Sequence, residues 1–202
     1  MLLSGAKKIT PIFHLFSSLK IIVLTILIVG CKTNETGFAL DETETAAKIV
    51  AEANEDLKLI RKLYKENEGK VEQIKQAIKD NKIEDVRRIA DDLVYIINDG
   101  MALGESAIEK ISKAEKMNIN QAYKQYLELK RASLEKQIEA FEFRRQAAVL
   151  LRDSFGTKDK FIIEKAKSDF KDKEENFRKH MEIARQLSAE ANQLAKEAMR
   201  EQ

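Results

Sequence analysis

Histidine, the side chain most often used for acid–base and metal chemistry, occurs only at His14 and His180. A di-iron site in a helical bundle needs a Glu-x-x-His motif on each of two helices, but position 177 is a phenylalanine and His180 has no partner histidine after residue 30. A zinc site of cysteine and histidine ligands is excluded because the chain has one cysteine, Cys31. We therefore predict no catalysis and no cofactor, and expect His180 in the core or at its boundary, bonded to a neighbouring side chain.

Cys31 lies where a lipid-attachment cysteine is expected. Lysines and then an uncharged run of nine residues, Ile21 to Val29, precede it, and Gly30 comes directly before it. This order of charged, apolar and small residues is typical of a secretory signal, and nine residues are too few for a membrane-spanning helix, which needs about 20. The four residues that end in Cys31 resemble the bacterial lipobox, in which the thiol takes a diacylglycerol and the peptide is cut before the cysteine.

Three segments follow from this interpretation. We expect residues 1–30 to be a lipoprotein signal peptide, residues 31–40 to be the lipidated cysteine with a flexible tether, and residues 41–202 to be the folded domain. Removal of the signal peptide leaves 33 basic and 34 acidic residues. The balanced net charge gives no general indication of nucleic acid or of an anionic membrane as partner.

The folded domain is predicted to be all-α. After residue 30 the chain has no proline, no tryptophan and five glycines. Apolar residues recur at spacings of three and four in four segments, about 42–79, 82–116, 121–153 and from about 158 to the C-terminus. Short connections between long helices favour antiparallel neighbours, so we predict an elongated antiparallel four-helix bundle. The alternative is a pair of coiled-coil-like helical hairpins that pack less completely, with the fourth helix projecting.

Glycines give three local expectations. Gly69 lies within the first predicted helix, which we expect to continue through it. Gly100 and Gly104 form a GxxxG pair in the second helix, which predicts a notch that admits a bulky side chain from a neighbouring helix. Gly156 follows the third helix, where we expect it to adopt the left-handed conformation that ends many helices.

The third predicted helix carries two apolar stripes about half a turn apart. One stripe contains Leu127, Leu134, Ile138 and Phe141, and the other contains Leu129, Phe143 and Leu150. Two interpretations remain open. Either this helix is central and the fourth helix covers the second stripe, or Leu129, Phe143 and Leu150 form an exposed surface for a homodimer or another partner.

Paired basic residues indicate the only candidate binding patch. Lys130-Arg131 and Arg144-Arg145 lie on the third predicted helix. Ordinary surface charge explains such pairs, and the functional alternative is a patch for a polyanion such as a glycosaminoglycan or DNA.

The lipobox ending in Cys31, the polar tether and a helical domain rich in Lys, Glu, Ile and Asn together resemble the plasmid-encoded outer-surface lipoproteins of Borrelia spirochaetes. The resemblance implies a helical bundle, lipidation at Cys31, a position on the outer membrane facing outward, and a host macromolecule as ligand. We expect a lipid-anchored surface protein that binds such a macromolecule. The alternatives are a surface lipoprotein that binds DNA without sequence preference and a periplasmic structural or assembly lipoprotein.

Overall fold

The computed structural model describes residues 41–157 and 159–200, with side chains up to residue 196. This part of the chain is all-α and contains no strand. Its helices are α1 (Thr43–Glu66), α2 (Lys70–Lys79), α3 (Ile83–Glu115), α4 (Gln121–Ser154) and α5 (Lys160–Arg200). The predicted helical bundle is thereby confirmed, with α1 and α2 together forming its first arm. No helix among the described residues is long and apolar enough to cross a membrane.

The bundle has four arms, namely α1 with α2, then α3, α4 and α5. Consecutive arms are antiparallel and are joined by short turns. At one end of the bundle the Glu42 backbone N–H donates to the Asn118 carbonyl at 2.9 Å, and the Asn118 N–H donates to the Glu42 carboxylate at 2.8 Å. At the other end, a Cβ built on Gly156 would lie 3.7 Å from the Arg87 guanidinium nitrogen Nε. Helix α4, with 34 residues, is about 51 Å long at 1.5 Å per residue.

The first arm breaks at residues 67–69, so the expectation of one continuous helix over 42–79 is wrong. The Asn67 amide donates to the Leu63 carbonyl at 2.8 Å, and the Asn67 backbone N–H bonds to the Tyr64 carbonyl at 3.1 Å. Lys70 N–H in turn bonds to the Asn67 carbonyl. Side-chain bonds of asparagine to nearby backbone groups compete with regular helix bonding, and they do so here.

Helices α3 and α4 both lie in the interior of the packing. Helix α4 packs between α3 and α5, while α3 packs against α4 and also against α1 and α2. Two clusters of buried apolar residues result. One joins α1 to α3 and the first half of α4 around Ile111 and Leu127, and the other joins α2, α3, the second half of α4 and α5 around Ile74 and Leu151.

The predicted glycine notch is confirmed at Gly104 only. A Cβ at Gly104 would lie 3.1 and 3.2 Å from Cδ1 and Cγ1 of Ile138, so the missing side chain lets α4 approach α3 closely. At Gly100 a Cβ would meet nothing within 4 Å.

The end of α4 differs from the expectation for Gly156, which has no positive φ. The helix instead ends on Phe155, whose side chain is buried and whose backbone N–H bonds to the Leu151 carbonyl at 3.1 Å. The chain therefore leaves α4 with Phe155 in the right-handed helical conformation, and burial of the Phe155 ring holds it there. Among the residues that the structure describes, positive φ occurs at Asn81, at 55°, between α2 and α3.

Candidate functional site

Lys130 of α4 is half-buried and faces α1. Its ammonium donates to Asn54 Oδ1 at 2.8 Å and to the Tyr126 hydroxyl at 3.4 Å. Burial, and then the charge of Arg61, lower the pKa of Lys130 to about 8. Both hydrogen-bond partners are neutral, and no carboxylate among the described residues bonds to this ammonium.

Arg131 and Arg145 are each held by carboxylates. Arg131 Nε donates to Glu115 at 2.8 Å and its Nη1 donates to Glu135 at 2.7 Å, and these bonds raise the pKa of the guanidinium. Arg145 makes two bonds of 2.7 Å to Glu142, which raise its own pKa and lower the pKa of that carboxyl. Both guanidinium groups are therefore already neutralised by partners.

Arg144 forms the most buried ion pair of the four predicted contacts. It bonds to Glu174 of α5 through two N–H groups at 2.9 and 2.8 Å, and Glu174 is 8% exposed. The Arg144 guanidinium carbon lies 3.4 Å from the centroid of the Phe177 ring. Phe141 contacts that ring on one side and Tyr64 of α1 on the other. Arg144 therefore links α4 to α5, Phe141 continues this cluster to Tyr64 of α1, and the guanidinium is not free on the surface.

The four predicted polyanion contacts thus lie on one helix in different surroundings. Lys130 faces α1, Arg131 faces α3, Arg144 faces α5, and Arg145 bonds within α4. They do not converge on a common point of the surface. Polyanion binding through these residues stays a prediction.

Leu129, Phe143 and Leu150 are half-buried. The Phe143 ring contacts His180 of α5, with centroids 4.9 Å apart, and the Lys173 ammonium lies 5.7 Å from its centroid. Leu150 borders an open depression with Asp169, Asp172, Lys173 and Asn176 of α5. Packing of α5 along α4 supports the interpretation of a central helix, and a role of this stripe in self-association stays a prediction.

His180 is half-buried, at the boundary of the core, and its hydrogen bond goes to a backbone carbonyl and not to the expected side chain. Its Nδ1 lies 2.9 Å from the Asn176 backbone carbonyl, an acceptor, so this nitrogen carries the proton and donates. Its Nε2 lies 3.6 Å from the Glu139 carboxylate of α4. No group of three or more His, Cys, Asp or Glu side chains suited to a metal ion occurs among the residues that the structure describes.

Sequence reasoning missed the contacts that join α1 to its neighbours. Asp56 accepts from the Lys110 ammonium at 2.6 Å and from the Ser106 hydroxyl at 2.9 Å, both on α3. Spacing alone gives no signal for these bonds, because their partners lie 50 and 54 residues away. Cys31, the predicted lipidation site, lies outside the described residues.

Comparisons with known proteins returned no match, whether to protein-family models, to curated proteins or to solved structures.

Proposed function

We propose that this protein is a lipid-anchored bacterial surface module, held in the outer membrane through Cys31, that binds a host or environmental macromolecule through the surface of its helical bundle. The observation that carries the proposal is the direction of the arms. Asp41, the first residue that the structure describes, precedes the end of the bundle at which Glu42 bonds to Asn118. The α2–α3 and α4–α5 turns lie at the other end, about 50 Å away. A membrane anchor on the N-terminal side of Asp41 would leave the long sides and the far end of this bundle available to a ligand.

The anchor is tested by the replacement Cys31→Ala, with Lys32→Ala as the matched control. Several acyl chains hold a protein on a membrane much more firmly than one chain, at roughly 0.8 kcal/mol per buried CH₂. The wild type and Lys32→Ala should enter the detergent phase on temperature-induced partition of Triton X-114, and Cys31→Ala should stay in the aqueous phase. Equal partition of all three proteins would remove lipidation from the proposal.

The paired basic residues of α4 favour a polyanion as the macromolecule that this protein binds. If several bases contact sulfates or phosphates, log affinity falls linearly with log salt concentration. Heparin and double-stranded DNA, both at low salt, distinguish the glycosaminoglycan from the DNA-binding alternative. Glutamine at all four predicted contacts should abolish binding, whereas a control with four exposed bases changed to glutamine should retain it: Lys48, Lys75, Arg88 and Lys116.

One of these changes also affects the fold, because Arg144→Gln leaves the buried Glu174 without its guanidinium partner. The triple change at Lys130, Arg131 and Arg145 is therefore measured beside the quadruple one, with a melting curve for each. Binding that persists in a folded triple variant at the wild-type salt slope would refute these contacts. Absence of any binding to either polyanion at low salt would leave a protein partner as the ligand class.

A further inference from the structure

The first turn of α5 holds two exposed apolar side chains in succession. Phe161, at 77%, is the most exposed large apolar side chain among the described residues, and Ile162 is 43% exposed. Asp159, just before the helix, accepts hydrogen bonds from the backbone N–H groups of both residues, at 2.9 and 3.5 Å. These bonds fix the start of the helix, so both side chains have defined positions on its surface.

Two lysines border these side chains. Lys160 directly precedes Phe161. Lys165 follows Phe161 by four residues and Ile162 by three, so helical spacing places it between them on the same face. Both lysines are exposed, and neither has an ion pair among the residues that the structure describes. We call Lys160, Phe161, Ile162 and Lys165 the α5 patch.

The acidic residues nearest to the patch already have partners. The Asp159 carboxylate accepts from the backbone at the start of α5, and Glu164 pairs with Lys167 at 2.7 Å. The positive charge of the two patch lysines is therefore left for a ligand.

The α5 patch lies at the end of the bundle where α4 passes into α5. The α2–α3 turn reaches the same end, since a Cβ on Gly156 would lie 3.7 Å from Arg87 Nε, in the second turn of α3. Near that turn Ile83 is 36% exposed, and Lys79 is exposed without an ion pair in the described part of the chain. Both turns thus present apolar and basic side chains at this end.

Size and chemistry favour a lipid surface over a protein partner. A specific protein interface buries about 800 Å² on each side and uses about 20–30 residues, whereas this end offers a few apolar side chains at the start of a helix. A membrane accepts such a small protrusion. Phenylalanine or leucine beside lysine is typical of helices that bury an apolar face among the lipid headgroups while the ammonium groups contact anionic lipids.

We propose that the α5 patch binds the surface of a membrane that contains anionic lipids. The Phe161 ring and the Ile162 side chain enter the boundary between headgroups and acyl chains, and Lys160 and Lys165 contact the headgroup phosphates. This goes beyond the proposed function, because the ligand is a lipid surface and the contact does not use Cys31. The contact can therefore fail while the anchor is confirmed, and the reverse.

Tryptophan fluorescence tests the contact locally, since the chain has no tryptophan. Phe161→Trp puts a probe in the patch, and Tyr95→Trp, at a position of α3 that is 69% exposed, is the matched control. Both are made in the full-length chain with Cys31→Ala, so that no acyl chain contributes. Vesicles of phosphatidylcholine and phosphatidylglycerol in equal parts, at low salt, should shift the Phe161→Trp emission to shorter wavelength, and brominated lipids should quench it.

The Tyr95→Trp emission should not change with the same vesicles. An unchanged Phe161→Trp emission would overturn the proposal. Equal shifts in both proteins would contradict the assignment to α5, because the long side of the bundle would then contact lipid as well. Both positions are exposed, so both proteins should remain folded, and melting curves check this.

Lysine variants test the part played by charge. In the Phe161→Trp protein, Lys160→Gln with Lys165→Gln should raise the lipid concentration at half of the shift by roughly tenfold or more, because both lysines attract anionic headgroups. Lys48→Gln with Lys116→Gln, two exposed lysines at the opposite end, should leave it unchanged. Equal midpoints in the two double variants, or an equal shift with phosphatidylcholine alone, would contradict binding to anionic lipid.

Discussion

Replacement of Gly104 by alanine tests the packing of α3 against α4. The new Cβ would lie 3.1 Å from Ile138 Cδ1 and 3.2 Å from Cγ1, which is closer than ordinary van der Waals contact. Alanine in place of glycine favours a helix interior by about 1 kcal/mol, whereas overpacking a core costs about 1–3 kcal/mol. We expect Gly104→Ala to be between neutral and roughly 2 kcal/mol destabilising.

Gly100→Ala is the matched control on the same helix. A Cβ at Gly100 meets nothing within 4 Å, so only the helix preference acts. This variant should be about 0.5–1 kcal/mol more stable than the wild type. Urea denaturation with equal m-values measures both changes, and Gly100→Ala should be the more stable variant by roughly 1–3 kcal/mol.

The neighbour of Gly104 can also be changed. Ile138→Val removes Cδ1, the nearest atom, and should cost about 0.5–1.5 kcal/mol in the wild type. In the Gly104→Ala background the same change should cost less, because it relieves the contact, and the double-mutant cycle measures this coupling. If Gly104→Ala is as stabilising as Gly100→Ala and the cycle shows no coupling, α4 does not lie in the notch.

The remaining predictions concern charge and the second apolar stripe. The pKa of Lys130 is about 8 in the folded protein and 10.5 for an ordinary lysine. Between these two pH values the unfolded state binds more protons than the folded state, so the free energy of unfolding should rise with pH, by at most roughly 3 kcal/mol. Lys130→Met should lack this rise, and the same slope in that variant would show that another group causes it. Glu174→Gln leaves Arg144 buried without its counter-charge and should cost about 3–5 kcal/mol in urea denaturation, and a loss under 1 kcal/mol would show an exposed pair. Phe143→Glu should lower the melting temperature steeply if α5 covers this ring, whereas a folded variant that no longer self-associates in sedimentation would favour the dimer surface.

The helices and their antiparallel order follow from the sequence because apolar spacing and turn residues are local signals. The bounds of α3 and α4 agree with the predicted segments 82–116 and 121–153 within one residue. The break after α1 does not follow in this way, since it depends on a bond from the Asn67 amide to the Leu63 carbonyl that competes with helix continuation. The path at Gly156 depends on burial of Phe155, a tertiary effect.

The partners of the basic residues also include some that the sequence predicts and some that it does not. Glu135 and Glu142 lie four and three residues from Arg131 and Arg145, so helical spacing alone predicts these pairs. Glu174, the partner of Arg144, lies on another helix 30 residues away. Only the register between helices reveals such a contact. For this reason the sequence identified Lys130 as a basic residue but not its hydrogen bond to Asn54 of α1.

Exposure of the protein on intact cells tests the central claim, that this bundle is anchored outward on the outer membrane, most directly. Protease added to intact cells should remove the protein while a periplasmic marker survives, and lysis should then expose both to digestion. Survival of the protein in intact cells, with digestion after lysis, would contradict surface display and favour a periplasmic structural or assembly lipoprotein.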